Sequence, residues 1–154
     1  MRRSVQIPKA VLLAAAFALL SACAAAGGYQ GTASQIPARA RAELLSRARK
    51  WGAVNGDRKP FDIEVVRTTH GRAGRLRGER VEPPPPSVQV YLVAMRGHFV
   101  CYECHGLGPE PRGTVSMLEF EVAAIDRRRE GSLGGSLAGR YPKLSTVGKP
   151  VRLG

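Results

Sequence analysis

Apolar residues recur every three to four positions in "IPARARAELLSRARKW", from Ile36 to Trp51. Ile36, Ala40, Leu44, Ala48 and Trp51 fall on one side of a helix, with Leu45 beside them. Arg39, Arg41, Arg47, Arg49 and Lys50 supply the wet side, which makes the predicted helix amphipathic. Pro37 suits the first turn, where a missing N–H costs nothing. Ser34 is a candidate N-cap and Gly52 a candidate stop. Beyond the turn signal Asn55-Gly56-Asp57 the period changes to two. In "FDIEVVRTT", from Phe61 to Thr69, Phe61, Ile63 and Val65 share one face, and Asp62 and Glu64 the other, as in a half-buried strand. "VQVYLVAM", from Val88 to Met95, is apolar almost throughout and is expected at the centre of a sheet. In "TVSMLEFEVAAI", from Thr114 to Ile125, Leu118, Phe120, Val122 and Ala124 face one way, with Glu119 and Glu121 opposite. The two glutamates therefore read as the solvent side of a third strand.

The remaining segments lack a period. "GRAGRLRG", from Gly71 to Gly78, is basic and glycine-rich and reads as a loop. "EPPPP", from Glu82 to Pro86, is expected to run extended and to space two strands. Arg127 to Gly135 is charged and then glycine-rich, and the tail from Tyr141 is expected to wrap a sheet edge or add a short strand. One helix followed by three or four strands predicts an α+β domain over residues 36–154, with the helix packed on a small antiparallel sheet. Contact of the basic helix with a membrane is the alternative fate of its apolar face.

The start of the chain sets the compartment. Arg2, Arg3 and Lys9 precede "AVLLAAAFALL", an uncharged run too short for a spanning helix of roughly 20 residues. This is the layout of an export signal. Leu20-Ser21-Ala22-Cys23 resembles a bacterial lipobox, which implies a lipoprotein signal peptide over residues 1–22 and lipid attachment at Cys23. Residues 23–35 then form a lipidated tether, small, polar and glycine-rich. Removing the leader leaves 21 basic against 12 acidic residues, a formal charge of +9. The expected location is the cell membrane, lipid-anchored on its extracytoplasmic face. Export argues against nucleic acid as a partner; anionic lipid, a cell-wall polymer or an unknown protein are the partners expected.

With Cys23 lipidated, Cys101 and Cys104 form a pair in an oxidising compartment, and a disulfide between them is the default. They belong to Cys101-Tyr102-Glu103-Cys104-His105, the spacing of c-type haem attachment, so haem on Cys101, Cys104 and His105 is one alternative. A redox dithiol is a second. A zinc site of His98, Cys101, Cys104 and His105 is a third. "CYECHG" looks like the attachment site of small c-type cytochromes. Here, however, it follows a strand, and Gly106, Gly108, Pro109 and Pro111 stop a helix from following it. No cofactor is therefore expected.

Catalytic patterns are absent from the sequence: it has no H-E-x-x-H and no G-x-S-x-G. Glu119 and Glu121 would stand about 7 Å apart on one strand face, and Ser132 and Ser136 have no visible base. No residue is singled out as catalytic. "FDIEVVRTT", "VQVYLVAMRG" and "EVAAIDRRREG" resemble PepSY-type or cystatin-like domains, although Arg127 and Arg128 stand where such domains carry Thr-Gly. The resemblance implies a regulatory or binding module. The expected function is a non-catalytic interaction or sensory module of the cell envelope. The alternative is an envelope redox or electron-transfer protein that uses the C-x-x-C-H motif.

Overall fold

Ala40, Leu44 and Ala48 are buried, and their common spacing fixes which side of the first helix faces inward. The computed structural model describes residues 36–79, 84–102, 109–129 and 131–154; Ser34, the candidate N-cap, lies outside them. The helix, α1, spans Ala38–Val54. Pro37 occupies its N-cap position without a side-chain cap. Gly52 does not end the helix but is buried within it: a Cβ there would stand 2.8 Å from the Asp57 carbonyl oxygen. The chain reverses just beyond, at Asn55 and Gly56, where Gly56 takes φ +92°.

Five strands follow: β1 (Phe61–Thr69), β2 (Gln89–Val100), β3 (Arg112–Glu121), β4 (Gly134–Ala138) and β5 (Val151–Arg152). They form one antiparallel sheet in the order β4-β3-β2-β1-β5. Val93 of the central β2 pairs with Val65 on one side and Leu118 on the other. The fold is α+β, with five strands instead of three to four and, among the described residues, three helices instead of one. The additional helices are α2 (His70–Arg77) and α3 (Val122–Asp126). The tail both wraps and pairs: a 3-10 turn at Leu144–Thr146 packs on the sheet, and β5 joins β1.

Both faces of the sheet are covered, and this overturns several expectations. On one face, Ile63, Val65, Tyr91, Val93, Met95, Phe99, Leu118 and Phe120 pack with the apolar side of α1. On the other, Val66, Val90, Leu92, Ala94 and Met117 pack with Ala73 of α2 and with Leu144 and Val147 of the tail. Residues 71–77 therefore form a helix and not a loop, because Ala73 and Leu76 have a second core to join. Gly78, at φ +73°, is its left-handed cap. Part of the proline segment caps the other end: His70 N–H donates to the Val88 carbonyl and Gly71 N–H to that of Pro86, at 2.9 and 3.0 Å. The chain turns at Pro85–Val88, closed by a 3.0 Å bond from Val88 N–H to the Pro85 carbonyl, so this part is not extended.

Phe61 is also displaced from its expected face. One extra residue lies between Phe61 and Glu64 in the pairing with β2, and Asp62 takes φ +47°. The bulge places Phe61 opposite Arg96, away from the face of Ile63 and Val65, and leaves it 55% exposed. No helix among the described residues is long and apolar enough to cross a membrane.

Candidate functional site

A recess lies between the second half of α1 and the segment joining α3 to β4. It is a groove of about 510 Å³ lined by Arg47, Lys50, Trp51, Val54, Phe120 and Ser132, among others. Helical spacing sets Arg47, Lys50, Trp51 and Val54 along one flank of α1. Phe120, buried, reaches the floor from β3.

Aromatic and ionic contacts hold this shape. Trp51 leans on Phe99 with ring centroids 5.5 Å apart and planes tilted by 58°. The Arg47 guanidinium lies 5.9 Å over the Phe120 ring, within reach of a cation–π attraction. Arg47 Nε donates to Glu43 Oε1 at 2.7 Å, and Arg47 Nη2 donates to the Arg129 carbonyl at 2.9 Å. Arg47 thus bridges α1 to the turn after α3. Lys50, on the same flank, has no carboxylate partner among the described residues. The groove combines an apolar floor with cationic walls, which suits binding of an anionic or amphiphilic surface.

A second polar constellation lies beneath α2. Glu119 is fully buried, whereas its position opposite Leu118 and Phe120 had marked it as solvent-facing. The inference about its face was right, but α2 covers that face. His70 Nδ1–H donates to Glu119 Oε1 at 2.6 Å, and Arg77 Nη1 donates to Glu119 Oε2. Arg77 Nε also donates to Glu79 Oε2 at 2.7 Å. Burial pulls the Arg77 guanidinium pKa down, but its bonds and attraction to Glu119 and Glu79 outweigh burial and leave it raised. Its burial and pairing make the triad a structural element under the helix. Glu121, half-buried, takes no part in its bonds.

A third cluster gathers at the β1 bulge. The Tyr141 hydroxyl lies 3.0 Å from the Asp62 carbonyl, 3.2 Å from Glu64 Oε2 and 3.2 Å from the Ala94 carbonyl. It donates to one of them at a time. Arg96 stacks 4.7 Å over its ring, and Arg152 pairs with Asp62 at 2.7 Å. Burial, reinforced by the Glu64 carboxylate, pushes the Tyr141 hydroxyl well above the usual tyrosine range.

The motif residues are spread differently. Cys101 follows β2, half-buried, with its N–H donating to the Pro111 carbonyl at 2.9 Å; its side chain is not free. Cys23, Cys104 and His105 lie outside the described residues. His98 is exposed at a β2 bulge, its backbone N–H donating to Asp57 Oδ2 at 2.8 Å. Among the described residues no three His, Cys, Asp or Glu side chains gather as a metal site. Met95 and Met117 are both buried, on opposite faces of the sheet, so Met95 belongs to the core under α1. Ser132 lines the groove, and its hydroxyl stands 3.4 Å from the Glu119 carbonyl.

No family model, no curated protein and no solved structure matches the chain. Sequence reasoning missed the groove because Trp51 and Phe120 each read as core, 69 positions apart. It missed the triad because Glu119 sits in ordinary strand alternation.

Proposed function

We propose that this chain is a lipid-anchored module of the extracytoplasmic membrane face that acts by binding and not by catalysis, through the groove beside α1. The observation that carries the proposal is the groove itself, with Trp51, Val54 and Phe120 between the cations of α1 and the α3 turn. A volume of about 510 Å³ lies within the usual range of ligand sites, roughly 300–1,000 Å³. The lipobox-like Leu20-Ser21-Ala22-Cys23 supports the anchor, and the segment 24–35 supplies the tether. Two acyl chains hold a protein stably where one does not.

In this reading Cys101 and Cys104 form a structural disulfide that closes the connection between β2 and β3. The antiparallel pairing of those strands up to Val100 and Arg112 supports it. Metabolic labelling with a fatty-acid analogue tests the anchor: wild type incorporates label and Cys23→Ala does not. Equal labelling of the two would overturn it. The non-reduced mature protein is expected to weigh two hydrogens less than the dithiol and to carry no haem mass.

A further inference from the structure

We infer that the face formed by α1 and the turn after α3 docks on the anionic headgroups of the bilayer, with the groove between them at the interface. This rests on the anchored reading, which supplies the nearby membrane. On this side α1 exposes Arg39 and Lys50. The turn adds Arg127, Arg128 and Arg129, all exposed, and the Arg47 bond to the Arg129 carbonyl joins it to α1. Against these cations the two segments set, among the described residues, Glu43, already tied to Arg47, and Asp126; Glu130 follows in the sequence. Val54, 60% exposed, and Trp51 lie between the basic strips. An apolar seam flanked by cations is the pattern of an interfacial surface.

Two placements work against the stability of the fold, and both put arginine on this face. Arg39 occupies the first turn of α1, which has no acidic residue and no side-chain cap. Cations there oppose the positive end of the helix dipole. Arg128 takes φ +52°, a left-handed position that favours glycine. An anionic surface offsets both costs. The chain also reaches: 13 peptide links separate Cys23 from Ile36, a span of at most about 47 Å.

The test uses the full chain with Cys23→Ala, so that no acyl chain contributes. Its partition is measured on vesicles of phosphatidylglycerol with phosphatidylcholine and on phosphatidylcholine alone, at low and high salt. The leader is common to all arms, so differences between variants report the folded domain. One variant combines Arg39→Gln, Lys50→Gln, Arg127→Gln and Arg128→Gln. The control removes as many exposed cations from the opposite face: Arg72→Gln, Arg75→Gln, Lys143→Gln and Lys149→Gln.

The first variant is expected to lose at least about tenfold in partition on anionic vesicles, since each surface cation contributes roughly fivefold. The control keeps most of its binding, and high salt removes the difference. Equal losses in the two variants would assign binding to net charge and overturn the inference. So would wild-type binding that does not distinguish the vesicles, or binding only to a soluble anionic polymer. Arg128→Gly separates binding from folding: it is expected to melt higher and yet bind anionic vesicles more weakly. Unchanged binding by Arg128→Gly counts against the turn. Failed labelling at Cys23 leaves these results standing, and a negative vesicle result leaves the anchor standing.

Discussion

Glu119 is fully buried between a histidine and an arginine, and its removal would leave the Arg77 guanidinium under α2 with the exposed Glu79 as its remaining carboxylate. Breaking one member of a buried ion pair costs about 3–5 kcal/mol, whereas replacing the whole group with apolar residues is often neutral. Glu119→Ala should therefore lower the unfolding free energy by up to about that amount in urea titrations, since Glu79 still pairs with Arg77. The combined variant His70→Phe, Arg77→Met and Glu119→Leu should lose less than the single one. A single variant as stable as wild type would show that the triad contributes nothing. Tyr141 gives a second prediction at this scale, set by pH. Its folded-state pKa is raised by burial and then by Glu64, so the fold favours the protonated hydroxyl. That contribution is complete below the unfolded tyrosine value of about 10 and is lost as pH rises above it. Stability should fall on the alkaline side, and Tyr141→Phe should flatten the slope. Some slope should remain, because burial also raises Tyr91. An unchanged slope in Tyr141→Phe would remove Tyr141 as the cause.

Among the elements, α2 departs furthest from its local propensity. Glycine is disfavoured inside a helix by about 1 kcal/mol relative to alanine, yet Gly71 and Gly74 are both in it and both buried. At Gly71 the reason is contact: a Cβ would stand 2.9 Å from that of Pro86 and 3.2 Å from its carbonyl oxygen. Gly71→Ala should therefore lower the melting temperature although it improves helix propensity. A rise would mean that the proline segment yields freely. The same contact explains why α2 could not be read from the sequence: its glycines looked like loop residues because the proline segment they touch was not yet in view. α1 and β1 were legible because each carries its own burial period, over 36–51 and 61–69. The exception in β1, Phe61, follows from a bulge at Asp62 that periodicity does not encode. In β3 the alternation placed Glu119 on the correct face and gave no sign that α2 would cover it.

At the scale of the whole molecule, the α+β class was legible and the two-sided core was not. A half-polar strand such as β3 suggests one wet face, and only the return of α2 and the tail makes that face interior. The groove was illegible for a related reason, since its walls come from α1 and from residues near 120 and 131 that only the fold unites. The position of β2 has a consequence in time. It is hydrogen-bonded to a neighbour on each side, and from Val90 to Met95 it is buried on both faces. Its amide protons have no shallow route to water, so they should exchange for deuterium only when the entire sheet opens. β4 and β5, at the two edges, should exchange sooner by fraying. The slowest amides of Val90–Met95 would then act as a clock for global unfolding. Bilayer contact that stabilises the folded domain should slow that clock by the factor with which the membrane favours the folded state.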